Sequence, residues 1–535
     1  MTNQSALQEQ QTRKSHPATQ KIRAMRLPDE KGGRLRRIVS RLTERNTLES
    51  ELYFVITYLY GLATSYCSLG DMFTYVAQSE FKKCAQIFDR INVLAKTWHL
   101  GFVNSLEEAA KQTKSALLRD FLERFSQMLK TGELYDRFLM MEHEAYTVGY
   151  EAQYERDLKS MENLGNAYTA IITSVTFVAI TLTLTQALMG SNGSNANAVS
   201  MQMGLALVAT LLLSVLVLYI ISPSDRFVYL NTDLRIPKEF RRLRRLLPIS
   251  IVISIVASVL LFYLAPMGPP IGWFLVGISV PQLPIGMLAN KADKAIKAKE
   301  NAFPTFIRSL GTTAGITGYS TAKTIKLLLV RDFGVLSIPV RATYARLSIG
   351  VDSGLCWKSL ASECGSEVIR IFGGIYDATV SLGGDPGEIG KMISRNMIRR
   401  LVLRAKRIQV ASGMRSMIYP LHVIECALLS FMTALLEFLV RMINLGAQYN
   451  TSLGLFNSTI DPSSIAPLFN GIMILMAFTN AFALKISEVS NKYRFLFHLA
   501  IFLLMTGGIM IGVSLSVDVL FKGFFNFNPV QGLGS

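Results

Sequence analysis

The 535-residue chain is poor in cysteine and in charge. Five cysteines over this length exclude a disulfide scaffold, and no CxxC pair offers a zinc or dithiol motif. Charged residues make up 17% of the chain, against about 25% in ordinary soluble domains. Half the residues are hydrophobic and the mean hydropathy is +0.32. A wholly soluble enzyme and a disordered chain are both disfavoured. Acidic residues are the scarcer sign, 38 against 55 basic, which leaves a net charge of +17. Such a surplus points to nucleic acid or to an anionic membrane surface, and the position of the charges decides between them.

Catalytic signatures are missing as well. No GxxxxGK[ST] phosphate cradle occurs, and the glycine-rich stretch Gly311 to Gly318 has no lysine at its end, so it reads as structural. His143-Glu144 does not extend to HExxH, because Thr147 stands at the last position. GxSxG is absent, and the five histidines never pair at metal spacing. The chain is therefore read as a non-enzyme with no cofactor, and any ATP dependence belongs to a partner.

What is abundant is long apolar sequence. Seven segments reach membrane-spanning length: 167–189, 201–222, 246–266, 271–289, 416–441, 465–485 and 495–518. The first four carry no Asp, Glu, Lys or Arg. If the spans alternate, residues 1–50, 223–245 and 290–415 share one side and hold most of the basic residues. The other side, 190–199, 267–270, 442–464 and 519–535, holds only Asp461 and Lys522. The positive-inside rule then places the amino terminus in the cytoplasm and the carboxyl terminus outside, in a multi-pass cell-membrane protein. The first apolar run near Leu52 is interrupted by polar residues, so no secretory signal is read. The basic surplus becomes a cytoplasmic-face property suited to anionic lipids, and nucleic acid is not expected as a partner.

The expected fold is all-α: a polytopic membrane protein with two repeated cytoplasmic helical bundles. Its order is a basic flexible tail (1–50), a first bundle (51–166) and four spans (167–289, with the basic loop 223–245). A second bundle (290–415), three spans (416–518) and an external tail (519–535) follow. In the first bundle Leu117, Leu118, Phe121, Leu122, Phe125 and Met128 recur at helical spacing, with Gly132 as the stop. Asn104 and Glu107 read as a capping box opening a short helix. The two blocks resemble each other at an offset of about 250 residues: Glu80-Phe81 answers Asp332-Phe333, and Gly132-Glu133 answers Gly384-Asp385.

Block two also shows Phe306-Ile307-Arg308-Ser309-Leu310, Gly315-Ile316-Thr317 and Gly383-Gly384-Asp385-Pro386-Gly387-Glu388-Ile389. This resembles the type II secretion system F domain family, whose repeats carry a glycine after the first helix and a Gly-Glu-x-x-Gly-type turn late in the bundle. Block one departs with Ser65 at the early glycine and no second glycine, and block two has Asp385 where a glutamate is usual. The additional pair of spans between the repeats looks like the archaeal branch, which serves the archaellum and archaeal adhesive pili. The resemblance implies a membrane platform, a hexameric cytoplasmic secretion ATPase as partner, pilin- or archaellin-like subunits as cargo, and a homo-oligomer such as a dimer. A secondary transporter is the alternative, since repeats and midplane polar residues also fit that class. Uncharged spans one to four and large soluble repeats of one orientation speak against it.

Three groups of residues are candidates for function. Arg395, Arg399, Arg400, Arg404, Lys406 and Arg407 lie on the helix leading into span five, where an exposed basic face would dock an acidic ATPase rim or hold the helix end inside. Arg241, Arg242, Arg244 and Arg245 precede span three and suit lipid headgroups. Within the bilayer, span five carries Glu425 with His422 one turn earlier, and span six offers Asn470 and Asn480. Glu425 would lie roughly 13 Å deep, which demands the bundle interior and a partner at the depth of Asn480 or Thr479. Gly508 and Gly512 form a GxxxG for close packing. Asn192, Asn450 and Asn457 head sequons in outside loops and are candidate glycosylation acceptors, while a fourth sequon, at Asn3, falls on the cytoplasmic side.

Overall fold

The structure, a computed structural model, describes residues 34–65, 67–113, 115–189, 194–223, 225–231, 233–265, 268–448 and 462–525. Asn3, Asn192, Asn450 and Asn457 lie outside them. Among the described residues there is no strand, only an isolated bridge between Val228 and Ser366. The chain divides between Thr47 and Leu48, and Leu48–Ser535 forms one compact unit.

Block one begins with α1 (Arg34–Ala63), continues through the short helices α2 (Leu69–Ala77), α3 (Lys82–Asn92), α4 (Gly101–Gln112) and α5 (Ala116–Thr131), and leaves by the long α6 (Tyr135–Met189). The expected flexible tail through residue 50 is thus corrected from Arg34 onward. No Gly or Pro occurs from Arg34 to Tyr60, and good helix formers are frequent there. Ser115 caps α5, its side chain accepting from the Leu118 amide, and Gly132 ends it at φ 73°. That left-handed turn is open to glycine without penalty. The expected capping box at Asn104 is absent. The helix starts three residues earlier, Asn104 donates to the Leu100 carbonyl, and Glu107 pairs with Lys130.

Two membrane-length helices, α7 (Ser194–Ile221) and α8 (Lys238–Tyr263), follow. The fourth apolar segment is broken: α9 (Pro270–Ser279) passes through a 3-10 turn at Val280–Gln282 into α10 (Leu283–Thr317). Pro281 lacks the amide that a continuous helix would use. Block two follows. After α10 come α11 (Thr321–Leu328), α12 (Ser337–Ser348), α13 (Ser353–Cys364) and α14 (Glu367–Ser381), and the 63-residue α15 (Pro386–Gln448) leads into the membrane. Helices α16 (Pro462–Ser487) and α17 (Arg494–Phe525) complete the chain. Among the described residues, seven helices or helix pairs are long and apolar enough to cross a membrane, at the seven places expected from sequence.

One contact recurs in both blocks. Phe54 and Phe81 stack at 6.3 Å, and about 250 residues later Phe306 and Phe333 meet edge-to-face at 5.4 Å. The blocks are not separate bundles, however. A single hydrophobic core holds Leu52, Phe73, Phe121 and Phe125 of the first together with Phe303, Phe306, Phe372 and Met397 of the second. Phe54 lies edge-on to Phe372 at 5.5 Å, and Glu80 pairs with Lys358 at 3.0 Å and with Arg370.

Glycines set two close crossings. A Cβ on Gly311 of α10 would lie 2.3 Å from the Pro386 carbonyl oxygen and 2.9 Å from Gly390 Cα, so α10 and the start of α15 touch backbone to backbone. In the membrane the close glycine of α17 is Gly507, against Gly272 of α9, whereas Gly508 and Gly512 face open space. The expected GxxxG contact is therefore corrected by one residue. Ser250 and Ser254 of α8 donate to the Pro281 and Ile278 carbonyls at 2.8 and 3.1 Å, which pairs the freed backbone beside the 3-10 turn.

Gly311→Ala should lower stability by about 1–3 kcal/mol, because backbone on the far side cannot give way. Gly413→Ala, in open space on α15, should be neutral or add up to about 1 kcal/mol. Thermal unfolding of the two variants in detergent gives the comparison, and equal melting temperatures would contradict the crossing.

Candidate functional site

Three arginines of α15 lie on one face, separated by four and three residues. Instead of forming an exposed basic face, Arg400, Arg404 and Arg407 are only 5%, 4% and 4% exposed. Arg400 donates to Asp225 at 2.7 Å and to the Tyr150 hydroxyl at 2.6 Å, with Tyr53, Phe54 and Tyr150 around its guanidinium. Arg404 pairs with Glu300 of α10 at 2.9 Å and donates to the Arg226 carbonyl. Arg407 donates to the carbonyls of Pro223 (2.6 Å), Ile486 (2.9 Å) and Ser487 (3.1 Å), and lies 3.4 Å from Asp225. The docking face expected here is thus corrected. A buried guanidinium needs carboxylates and carbonyls around it, and the turn after α7, the middle of α10 and the end of α16 supply them. Arg395 is exposed, and Arg399 is half-buried beside Glu144 (3.3 Å) and Glu151 (3.7 Å).

Asp225 and Glu300 were not singled out from sequence. The available signal was a lone acid one turn past the end of span two, next to Arg226. Residues 225–229 are held in place from block two. Tyr229 donates its amide to the Gly365 carbonyl, Glu367 donates to the Phe227 carbonyl, and Ser366 donates its hydroxyl to Glu300. Burial works to raise the Asp225 carboxyl, but Arg400, Arg407 and Arg404, with the Tyr154 hydroxyl, hold it below the usual carboxylate range.

The intramembrane residues are brought together, though not in the expected pairs. Tyr168 of α6 donates to Asn480 Oδ1 at 2.7 Å, and Asn480 Nδ2 lies 3.1 Å from His422 Nδ1. His422 Nε2 is 3.0 Å from the Thr506 hydroxyl, which itself donates to the Phe502 carbonyl at 2.9 Å. Thr506 has only one hydrogen to give, so it accepts from His422, and the proton of a neutral imidazole sits on Nε2. A one-way hydrogen-bond chain therefore links α6, α16, α15 and α17. Glu425 is buried but does not reach Asn480 or Thr479; its nearest polar contact is Thr173 of α6, at 3.5 Å. A further ionic group, Glu488 with Arg415, Arg494 and His498, closes the α16–α17 turn.

The fold and site define a class: an all-α, multi-pass membrane protein whose extramembrane core and membrane bundle are joined by buried arginines. Within that class the chain is related to proteins named flagella accessory protein J. It is 26% identical over 476 residues to the one from Methanocaldococcus jannaschii, covering 85% of this chain and 82% of that protein. It is 29% identical over 357 residues to the one from Methanococcus voltae, covering 65% of this chain and 62% of that relative. No family model matches the chain, and no solved structure matches it.

Asp225→Asn should cost about 3–5 kcal/mol at neutral pH by leaving Arg400 and Arg407 without their carboxylate. Because the folded pKa is depressed, the stabilisation by Asp225 is complete above about pH 4 and is lost as the pH falls through the folded value. Melting curves from neutral to acidic pH should show a sloping acid limb for wild type, less steep in the variant. Parallel limbs would contradict the coupling.

Proposed function

We propose that this chain is the membrane platform of an archaellum or a related type IV pilus-like filament, coupling a cytoplasmic secretion ATPase to the assembly of pilin-like subunits. The observation that carries the reading is the relationship to flagella accessory protein J along most of the chain, joined to seven membrane-length helices. The charge distribution supports a cytoplasmic amino terminus, an external carboxyl terminus and both blocks in the cytoplasm. Arg241, Arg242, Arg244 and Arg245 are exposed on the first turns of α8, where anionic lipid headgroups would meet them. A homodimer would place two such platforms side by side.

With the α15 arginines buried, the ATPase contact moves to the far end of block two. Residues 308–341 carry five basic side chains and one acid, Asp332. Ile316, Val330 and Ile338 are exposed there at 82%, 93% and 81%. At 1.5 Å per residue along α10, Ile316 lies about 40 Å beyond the bilayer, so its cover is a protein with acidic and apolar character rather than lipid. Val330→Asp with Ile338→Asp should abolish co-purification of the secretion ATPase while the chain still inserts at wild-type levels. Retained binding would move the docking surface elsewhere, and failure of the wild-type chain to bind any secretion ATPase would overturn the coupling itself.

A further inference from the structure

The long helices α6 and α15 enter the membrane side by side, and a groove runs between them just before they do. Its volume is about 520 Å³, inside the roughly 300–1,000 Å³ range of small-ligand sites. One wall is Glu155, Lys159, Glu162 and Asn166 of α6, which share a face by their spacing of four, three and four residues. Lys406 and Gln409 of α15 stand opposite. Leu158, Val410 and Met414 form an apolar floor, closed where Met414 packs on Gly165. Charge ends at the lower mouth. From Asn166 to Met189, α6 has no Asp, Glu, Lys or Arg, and Met417, at the same end of the groove, is exposed.

Gly413 lines this groove without a structural reason of its own. It lies well inside α15, where glycine costs stability relative to alanine. No turn needs it, and among the described residues nothing beyond its own stretch of helix comes within 4 Å of a Cβ built there. What the missing side chain leaves is space in the groove. The charges on the walls are equally available. Lys406 pairs with Glu155, and Lys159 with Glu162 at 2.9 Å, while all four side chains are between 46% and 68% exposed. Exposed pairs of this kind contribute little to stability. Each ammonium also has three hydrogens to give, of which its carboxylate takes one. Both walls can therefore turn to a ligand at small loss.

We propose that this groove binds one membrane lipid with a zwitterionic headgroup, a phosphate joined to a primary ammonium. The phosphate meets Lys159 and Lys406, and the ammonium meets Glu155 and Glu162. The amides of Asn166 and Gln409 donate to the remaining oxygens. Two lysines and two glutamates sum to zero, so a purely anionic headgroup meets as much repulsion as attraction, unlike at the arginines that open α8. Position selects a lipid over a soluble phosphoamine. The lower mouth opens where both apolar spans begin, and Met417, Ile424 and Leu428 continue its line along α15 at i, i+7 and i+11. These exposed side chains are the bed for the acyl chains. The inference rests on the membrane-spanning class and not on the assembly role.

The test uses the full chain in detergent with equal amounts of phosphatidylethanolamine and phosphatidylglycerol, read by native mass spectrometry. Wild type should retain a single phosphatidylethanolamine per chain, in about tenfold preference to phosphatidylglycerol. Gly413→Leu, which fills the groove, should lose it. Glu155→Lys with Glu162→Lys should reverse the preference toward phosphatidylglycerol. Equal retention of the two lipids by wild type would overturn the proposal, and so would undiminished retention in Gly413→Leu. If Gly413→Leu fails to insert, the double charge variant decides alone, and an unchanged lipid preference there overturns the site. Glycerophosphoethanolamine, the same headgroup without chains, should displace the lipid about a hundredfold less well than phosphatidylethanolamine itself. Displacement at equal concentration would make the ligand a soluble one and overturn the lipid.

Discussion

Burying three guanidiniums is expensive, and the rest of the architecture is arranged around making it tolerable. Arg400, Arg404 and Arg407 draw on the turn after α7, on Glu300 in α10 and on the last carbonyls of α16. Each partner comes from a different part of the chain, and none can shift by a helical turn without leaving a charge bare. A buried ion pair adds little net stability compared with an apolar replacement, but its loss on one side is costly. The ladder therefore specifies register more than strength. It holds the long α15 at one rotation against both the membrane hairpins and the extramembrane core, and a helix of this length transmits that setting into the bilayer.

Inside the bilayer a second polar system acts differently. Tyr168, Asn480, His422 and Thr506 satisfy one another across four helices, so they fix relative depth without charge. Around them the packing depends on small side chains. Gly272 meets Gly507, and Gly277 comes against the backbone of α8 at Ser258. Two rigid constraints, one ionic at the membrane edge and one neutral within, thus flank Glu425, a carboxyl that neither includes.

Membrane helices were legible in the sequence because apolar length is a strong, local signal. Gly132 was legible for a similar reason: a glycine after an amphipathic run has one common use. The arginines illustrate the limit. Their spacing placed them on one face, and composition suggested that a basic face points to solvent. What decides their burial is Asp225 and Glu300, 175 and 104 residues away in sequence, and nothing local announces that pairing. Glu425 was legible as interior, since lipid exposure would be too costly, but its contact was not. Asn480 looked like the natural partner by depth, and a rotation of the helix gives it to His422 instead. The two blocks were visible as helical segments; their fusion into one core was not, because apolar faces do not say which neighbour they cover.

That shared core has a consequence for synthesis. Leu52 to Leu139 and Phe303 to Met397 bury one another, yet four membrane segments lie between them. At about 5–20 residues per second, the ribosome needs roughly 10–30 s to pass from one half to the other. During that interval the first block stands complete in sequence with the face meant for Phe372 uncovered. It cannot close until the intervening hairpins have entered the bilayer and turned the chain back to the same side. Completion of the core is thus a readout of correct insertion: a chain threaded with the wrong number of crossings would keep its apolar face in water, visible to chaperones and proteases.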